Sequence, residues 1–233
     1  MGISMGMNMD VNLNPRPRPR WRPAHALCLV TDSALCGPRS IEAVVDAAVR
    51  GGVGLVQLRE KTLDSRDFLA RARALKALLS GTGVPLLIND RLDIALLSGA
   101  DGVHVGQRDV SVDDVRRWMP DALVGLSIES VDQFARLPAD VDYLGVGPIH
   151  ATPTKADAAP ALGLAGLAAV RARTGLPLVA IGGIHAGNAA EVLRHGADGL
   201  AVVSALCAAA DPQAAAAELS ACLRRPADPG EPR

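Results

Sequence analysis

Gly51-Gly52-Val53-Gly54-Leu55-Val56-Gln57-Leu58-Arg59-Glu60-Lys61 holds a helix stop, an apolar run and a charged end in one short stretch. Glycine suits the left-handed position that closes a helix, and the run after it reads as a strand. Side chains alternate between the faces of a strand, so Gln57, Arg59 and Lys61 point one way and Leu58 and Glu60 the other. Two cations and an amide on one face, where a strand ends, make a socket for an anionic group. A guanidinium grips oxyanions bidentately, and an ammonium adds a mobile point charge. The same residues also suit an exposed strand end with a solvated salt bridge to Glu60. The rest of the chain has to choose between the two.

The helix stop recurs. Gly99-Ala100-Asp101-Gly102-Val103 follows the first copy by 48 positions, and Gly196-Ala197-Asp198-Gly199-Leu200 follows the second by 97. The intervals are one two-unit period and then two, as expected of a barrel assembled from equivalent βαβα modules. Between these marks the chain alternates strand-like and helix-like segments. Strands are expected at 26–30, 54–58, 85–88, 102–105, 123–126, 142–146, 177–181 and 199–203. Helices are expected at 41–50, 64–79, 92–97, from about 111, from about 131, at 164–173, from about 187 and at 212–223. Eight βα units are the count for a closed (β/α)8 TIM barrel. A dinucleotide-binding doubly wound sheet is disfavoured, because no G-x-G-x-x-G follows the first strand.

The composition agrees with one domain of that size. The 233 residues are 49% hydrophobic and only 2% aromatic, so aliphatic side chains must build the core. Residues 1–24, with prolines alternating with Arg16, Arg18 and Arg20, are expected as a disordered Pro/Arg-rich tail. The catalytic barrel is expected at 25–225, with a second loose end at 226–233. Formal net charge is −1, and setting aside the basic tail leaves a mildly acidic body. That argues against nucleic acid as a partner. No apolar run reaches the length of a membrane span, and the N-terminus lacks the uninterrupted apolar core of a secretory signal. Cys28, Cys36, Cys207 and Cys222 have no C-x-x-C spacing and read as reduced, buried thiols in a cytoplasmic protein. A homo-oligomer is left open. Trp118 and Phe134 are expected to pack helices onto the barrel, and His104 to be packed within a strand.

In a closed barrel the segments after each strand meet at one mouth. Those segments carry Gln57, Arg59 and Lys61; Asn89 and Asp90; Gly106-Gln107-Arg108-Asp109; Ser127; Thr152-Pro153-Thr154-Lys155; Gly182-Gly183-Ile184; and Val203-Ser204. Asp90 and Asp109 come from neighbouring strands beside the cations. Magnesium is typically held by one or two carboxylates, water and phosphate oxygens, so the pair suits a metal–diphosphate site. Each aspartate also suits the simpler role of capping the helix that follows. The glycine-rich ends of the last two strands form an anion cradle that needs no metal. Two phosphate sites in one mouth suggest departure of a diphosphate and capture of the remaining carbon by a second phosphorylated molecule.

Taken in order, Gln57-Leu58-Arg59-Glu60-Lys61, Asn89-Asp90, Gly106-Gln107-Arg108-Asp109, Gly125-Leu126-Ser127, Thr152-Pro153-Thr154-Lys155, Gly182-Gly183-Ile184 and Val203-Ser204 resemble the thiamine phosphate synthase family. The resemblance extends over about residues 26–224. It implies that hydroxymethylpyrimidine diphosphate and a thiazole phosphate, or its carboxylated tautomer losing carbon dioxide, yield thiamine phosphate and diphosphate. It implies that Gln57, Leu58, Arg59, Glu60, Lys61, Asn89, Ser127 and Lys155 hold the pyrimidine diphosphate. Arg59, Lys61, Ser127 and Lys155 would be the catalytic groups among them. Thr152, Pro153, Thr154, Gly183, Val203 and Ser204 would surround the thiazole phosphate, and Asp90 and Asp109 would bind Mg2+. The implied chemistry is dissociative, with loop 148–160 closing to exclude water. One departure stands out: the family's Ser-x-His is here Ser127-Ile128-Glu129, which argues against a related thiazole tautomerase activity.

Overall fold

The computed structural model describes residues 26–151 and 160–224. The expectations for the tails 1–24 and 226–233 lie outside the described residues. Eight parallel strands close on themselves in sequence order, the eighth pairing with the first. They are β1 Leu27–Val30, β2 Leu55–Leu58, β3 Leu86–Asn89, β4 Gly102–Val105, β5 Leu123–Ile128, β6 Tyr143–Val146, β7 Leu178–Ile181 and β8 Gly199–Val202. The helices are α1 Ile41–Arg50, α2 Ser65–Leu78, α3 Leu92–Ser98, α4 Val112–Trp118, α5 Gly163–Arg171, α6 Ala186–Arg194, α7 Ser204–Cys207 and α8 Pro212–Arg224. The expected TIM barrel is the observed fold.

Alternation along each strand divides the core in two. One set, including Val56, Leu58, Leu86, Ile88, Leu144 and Leu178, is buried among the helices. The other, Cys28, Val30, Leu55, Leu87, Leu123, Tyr143, Val179 and Ala201, fills the barrel interior. Helix starts follow local chemistry: Ser40, Asp64 and Ser111 each accept a backbone N–H from three residues on, capping α1, α2 and α4.

The aspartate of the recurring Gly-x-Asp-Gly acquires a physical meaning at the base of the barrel, where Asp142, outside that motif, takes the same part. Asp101, Asp142 and Asp198 each stand immediately before an even-numbered strand. Their carboxylates accept the backbone N–H of Leu86, Val124 and Leu178 at 2.8, 2.7 and 2.8 Å, at the starts of β3, β5 and β7. Each is also paired with a cation from the helix leading into that odd strand: Lys76 at 2.6 Å, Arg116 at 2.7 Å and Arg171 at 2.9 Å. The first copy of the repeat has the buried Val53 in this place and closes on apolar contact instead.

Three local expectations change. The segment after β5 forms a 3-10 turn, Val131–Arg136, rather than an α-helix. Pro138 disfavours helical backbone at Leu137, and Ser130 and Gln133 close a capping box around the short turn. Strand β5 runs on through Ser127 to Ile128. Phe134 packs against the core as expected, but Trp118 is 63% exposed at the last position of α4. The cysteines are free, with Cys28, Cys36 and Cys207 buried and Cys222 half-buried. No helix among the described residues is long and apolar enough to cross a membrane.

Candidate active site

The strand ends open into one cavity of about 280 Å3 that reaches from the loops down to Cys28, Tyr143, Val179 and Ala201 inside the barrel. Its rim is polar and its floor largely apolar.

Gln57, Arg59 and Lys61 line it, as the alternation requires. Gln57 is buried on the inward face of β2, at 5% exposure. Arg59 is fixed by the segment that follows β1: its backbone N–H donates to Thr31 Oγ1 at 3.0 Å, and its guanidinium lies 3.9 Å from Asp32. Lys61 reaches Asp90 with an Nζ–Oδ2 distance of 2.5 Å. Leu58 and Glu60 do not belong to this set. Leu58 is fully buried against the helices. Glu60 accepts from Arg71 Nη1 and Ser33 Oγ, both at 2.6 Å. Strand parity sends both side chains away from the mouth, so neither lines the cavity as the expectation placed them: Glu60 anchors the loop between β2 and α2.

Asn89 and Asp90 end β3, and Asp109 follows β4; all three line the cavity. Asp90 has a φ of 62°. Left-handed backbone is uncommon for a residue with a Cβ, though Asp tolerates it better than most. Its N–H donates to His104 O at 2.9 Å, which holds the turn. Asp90 and Asp109 lie beside each other at this end of the cavity. Burial, then the neighbouring Asp90, pushes the Asp109 carboxyl above its ordinary range, while the Gly106 N–H that it accepts at 2.7 Å opposes the shift. Two neighbouring carboxylates fit a divalent cation. Among the described residues no group of three His, Cys, Asp or Glu side chains gathers as a metal cluster. A two-carboxylate set suits an ion that completes its shell with water and phosphate oxygens.

Ser127, at the end of β5, lines the cavity and leads into a buried chain that sequence reasoning missed. His104 Nε2 lies 2.9 Å from Ser127 Oγ, and His104 Nδ1 lies 2.8 Å from the Tyr143 hydroxyl. The Tyr143 hydroxyl in turn meets the Gln57 side chain. Burial lowers the His104 pKa to about 4, so the ring is neutral at physiological pH. The same burial pushes the Tyr143 phenol up. Two glycines make the room. A Cβ on Gly125 would lie 2.3 Å from Tyr143 Cζ and 2.4 Å from His104 Nδ1, and one on Gly145 would lie 2.7 Å from His104 Cε1. Those inward glycines on β5 and β6 are the sequence signal that could have exposed the chain.

Gly183, Val203 and Ser204 line the cavity just after β7 and β8, which stand four strands round the ring from β3 and β4. Gly182 and Gly183 have φ of 105° and 63°, and a Cβ on either would come within 2.7 Å of Pro148 or His150. Only glycine fits that turn. Glu129 also lines the mouth. Thr152, Pro153, Thr154 and Lys155 lie outside the described residues.

The sequence matches the thiamine monophosphate synthase family over residues 27–206. It is 60% identical to the thiamine-phosphate synthase of Albidiferax ferrireducens over 83% of this chain and 89% of that protein. It is 51% identical to the thiamine-phosphate synthase of Laribacter hongkongensis, over 84% and 94%. The solved thiamine phosphate pyrophosphorylase from Pyrococcus furiosus superposes with a TM-score of 0.77 at 32% identity, covering 86% of this chain and 96% of that one. A solved 3-hexulose-6-phosphate synthase, at 19% identity and a TM-score of 0.64 over 84% and 99%, shares the fold alone. With its barrel, its ordered motifs and these relatives in agreement, the chain belongs to the thiamine monophosphate synthase family of enzymes.

Proposed function

We propose that this enzyme condenses hydroxymethylpyrimidine diphosphate with thiazole phosphate, or with its carboxylated tautomer and loss of carbon dioxide, to give thiamine phosphate and diphosphate. The observation that carries the reading is the division of one mouth. Arg59, Lys61, Asp90 and Asp109 gather just after β2, β3 and β4, and the glycine turn at Gly183 and Ser204 follow β7 and β8. One side suits a polyanion with metal; the other suits a monophosphate held by backbone N–H groups.

The chain's own groups then have distinct tasks. Arg59 and Lys61 hold the diphosphate, and Asn89 and Ser127 complete its polar surround. Asp90 and Asp109 would hold Mg2+, which when bound supplies charge neutralisation to the leaving diphosphate. The bond between the pyrimidine methylene and the bridging oxygen breaks first, its electron pair leaving with diphosphate. The resulting pyrimidine-stabilised cation is captured by the thiazole nitrogen lone pair. Fixed cations that face the oxygen on which charge grows act most strongly in this step. Gly183, Val203 and Ser204 hold the thiazole phosphate so that its nitrogen faces the carbon. Lys155, Thr152, Pro153 and Thr154 enter this reading from the sequence motif alone.

The test is incubation of the protein with Mg2+ and both phosphorylated compounds, following diphosphate and thiamine phosphate together. The two products should appear in equal amounts, and Asp90→Ala should lower turnover at least ~100-fold, the scale for one lost electrostatic stabiliser. Diphosphate released without thiamine phosphate, or wild-type turnover in the variant, would refute the reading.

A further inference from the structure

His104 and Tyr143 lie below the polar rim, so neither needs to touch a ligand to matter. Gln57, Tyr143, His104 and Ser127 are linked in series, from the wall of β2 through the barrel interior to the mouth. A neutral imidazole carries one N–H, and a hydroxyl has one proton to give. Such a chain has only two consistent arrangements, and they run in opposite directions.

In one, the Gln57 amide donates to Tyr143 Oη, Tyr143 O–H donates to His104 Nδ1, and His104 Nε2–H donates to Ser127 Oγ. The serine proton is then left over and points into the cavity. In the other, Ser127 gives its proton to His104 Nε2, Nδ1–H donates to the phenol, and the phenol donates to the Gln57 carbonyl. Ser127 can then only accept. The cavity that Ser127 lines also carries Arg59 and Lys61, and oxyanions of the diphosphate kind offer acceptors only. A serine that accepts would face such a ligand lone pair to lone pair.

We infer that Tyr143 and His104 are positioning residues that lock the Nε2–H tautomer and so make Ser127 an obligatory hydrogen-bond donor to the substrate. This rests on the proposed function for the ligand's chemistry, but the tautomer itself is a property of the protein. Gly125 and Gly145 keep the chain in register, since any side chain at either would displace the His104 ring.

The test is nitrogen-15 NMR of the histidine side chains in the full-length protein, with Mg2+ and inorganic diphosphate added. His104 is assigned by the signal lost in His104→Asn. The expected result is a protonated Nε2 and an unprotonated Nδ1. Tyr143→Phe, which removes only the hydroxyl, should let the tautomers mix and lower kcat about 10- to 100-fold with a smaller change in KM. Tyr143→Phe should retain the wild-type fold by circular dichroism, because its ring remains to fill the same space. An Nδ1–H tautomer in the wild type overturns the inference, and so does a Tyr143→Phe enzyme of unchanged kcat. If the Nε2–H tautomer is found in a protein that makes no thiamine phosphate, the functional reading fails and the relay's direction stands.

Discussion

At the scale of single residues, the site is built by taking polar groups out of water and giving each a specific partner. His104 illustrates the cost. Burial lowers its pKa from 6.5 to about 4, so between these values the unfolded chain binds a proton that the folded chain refuses. Stability therefore falls as pH drops from about 6.5, and the loss is complete below about 4, where both states are protonated. Between pH 7 and pH 5 it should amount to about 2 kcal/mol. Asp109 works the other way: its raised carboxyl takes up a proton more readily folded than unfolded, which favours the fold as pH falls through the carboxylate range. The difference between wild type and His104→Asn isolates the histidine. Urea unfolding at the two pH values should show a slope in the wild type that flattens in the variant, and equal slopes would contradict the burial argument. The alternation that puts Arg59 and Lys61 in the mouth could be read from the sequence. The partner that takes Glu60 out of it, Arg71 on α2, could not, because a loop lies between them.

At the scale of elements, the recurring glycine motif was legible as a period, and its aspartates, with Asp142 in the equivalent place outside the motif, turn the period into a mechanism. Each clamp ties the start of an even strand to the start of its odd neighbour and to the helix between units. Removing the carboxylate in Asp142→Ala leaves the Val124 N–H without that acceptor and takes a partner from Arg116, whose side chain is only 10% exposed. The expected loss is about 2–4 kcal/mol in urea unfolding. The clamp lies at the opposite end of the strands from the cavity, so kcat of the folded variant should equal that of the wild type. A variant as stable as the parent would show that the clamp is incidental. What the sequence concealed at this scale was the 3-10 turn after β5, where a proline a few residues on outweighs an otherwise helical pattern. It also concealed the exposure of Trp118, since hydrophobicity alone does not say which side of a short helix faces the barrel.

At the scale of the whole molecule, parallel strands in strict sequence order bring residues more than a hundred positions apart to one rim. That convergence was legible because every strand end carried its polar residues in the same place relative to the apolar run. The Tyr143–His104–Ser127 chain was not, because it depends on two glycines on other strands withholding side chains from the same volume. The central claim is that the rim has two separate phosphate sites, and a crystal structure with Mg2+, diphosphate and thiamine phosphate bound together tests it most directly. Diphosphate should lie against Arg59, Lys61, Asp90 and Asp109, and the phosphate of thiamine phosphate against Gly183 and Ser204. Both phosphorus groups on the same side of the mouth would contradict the account.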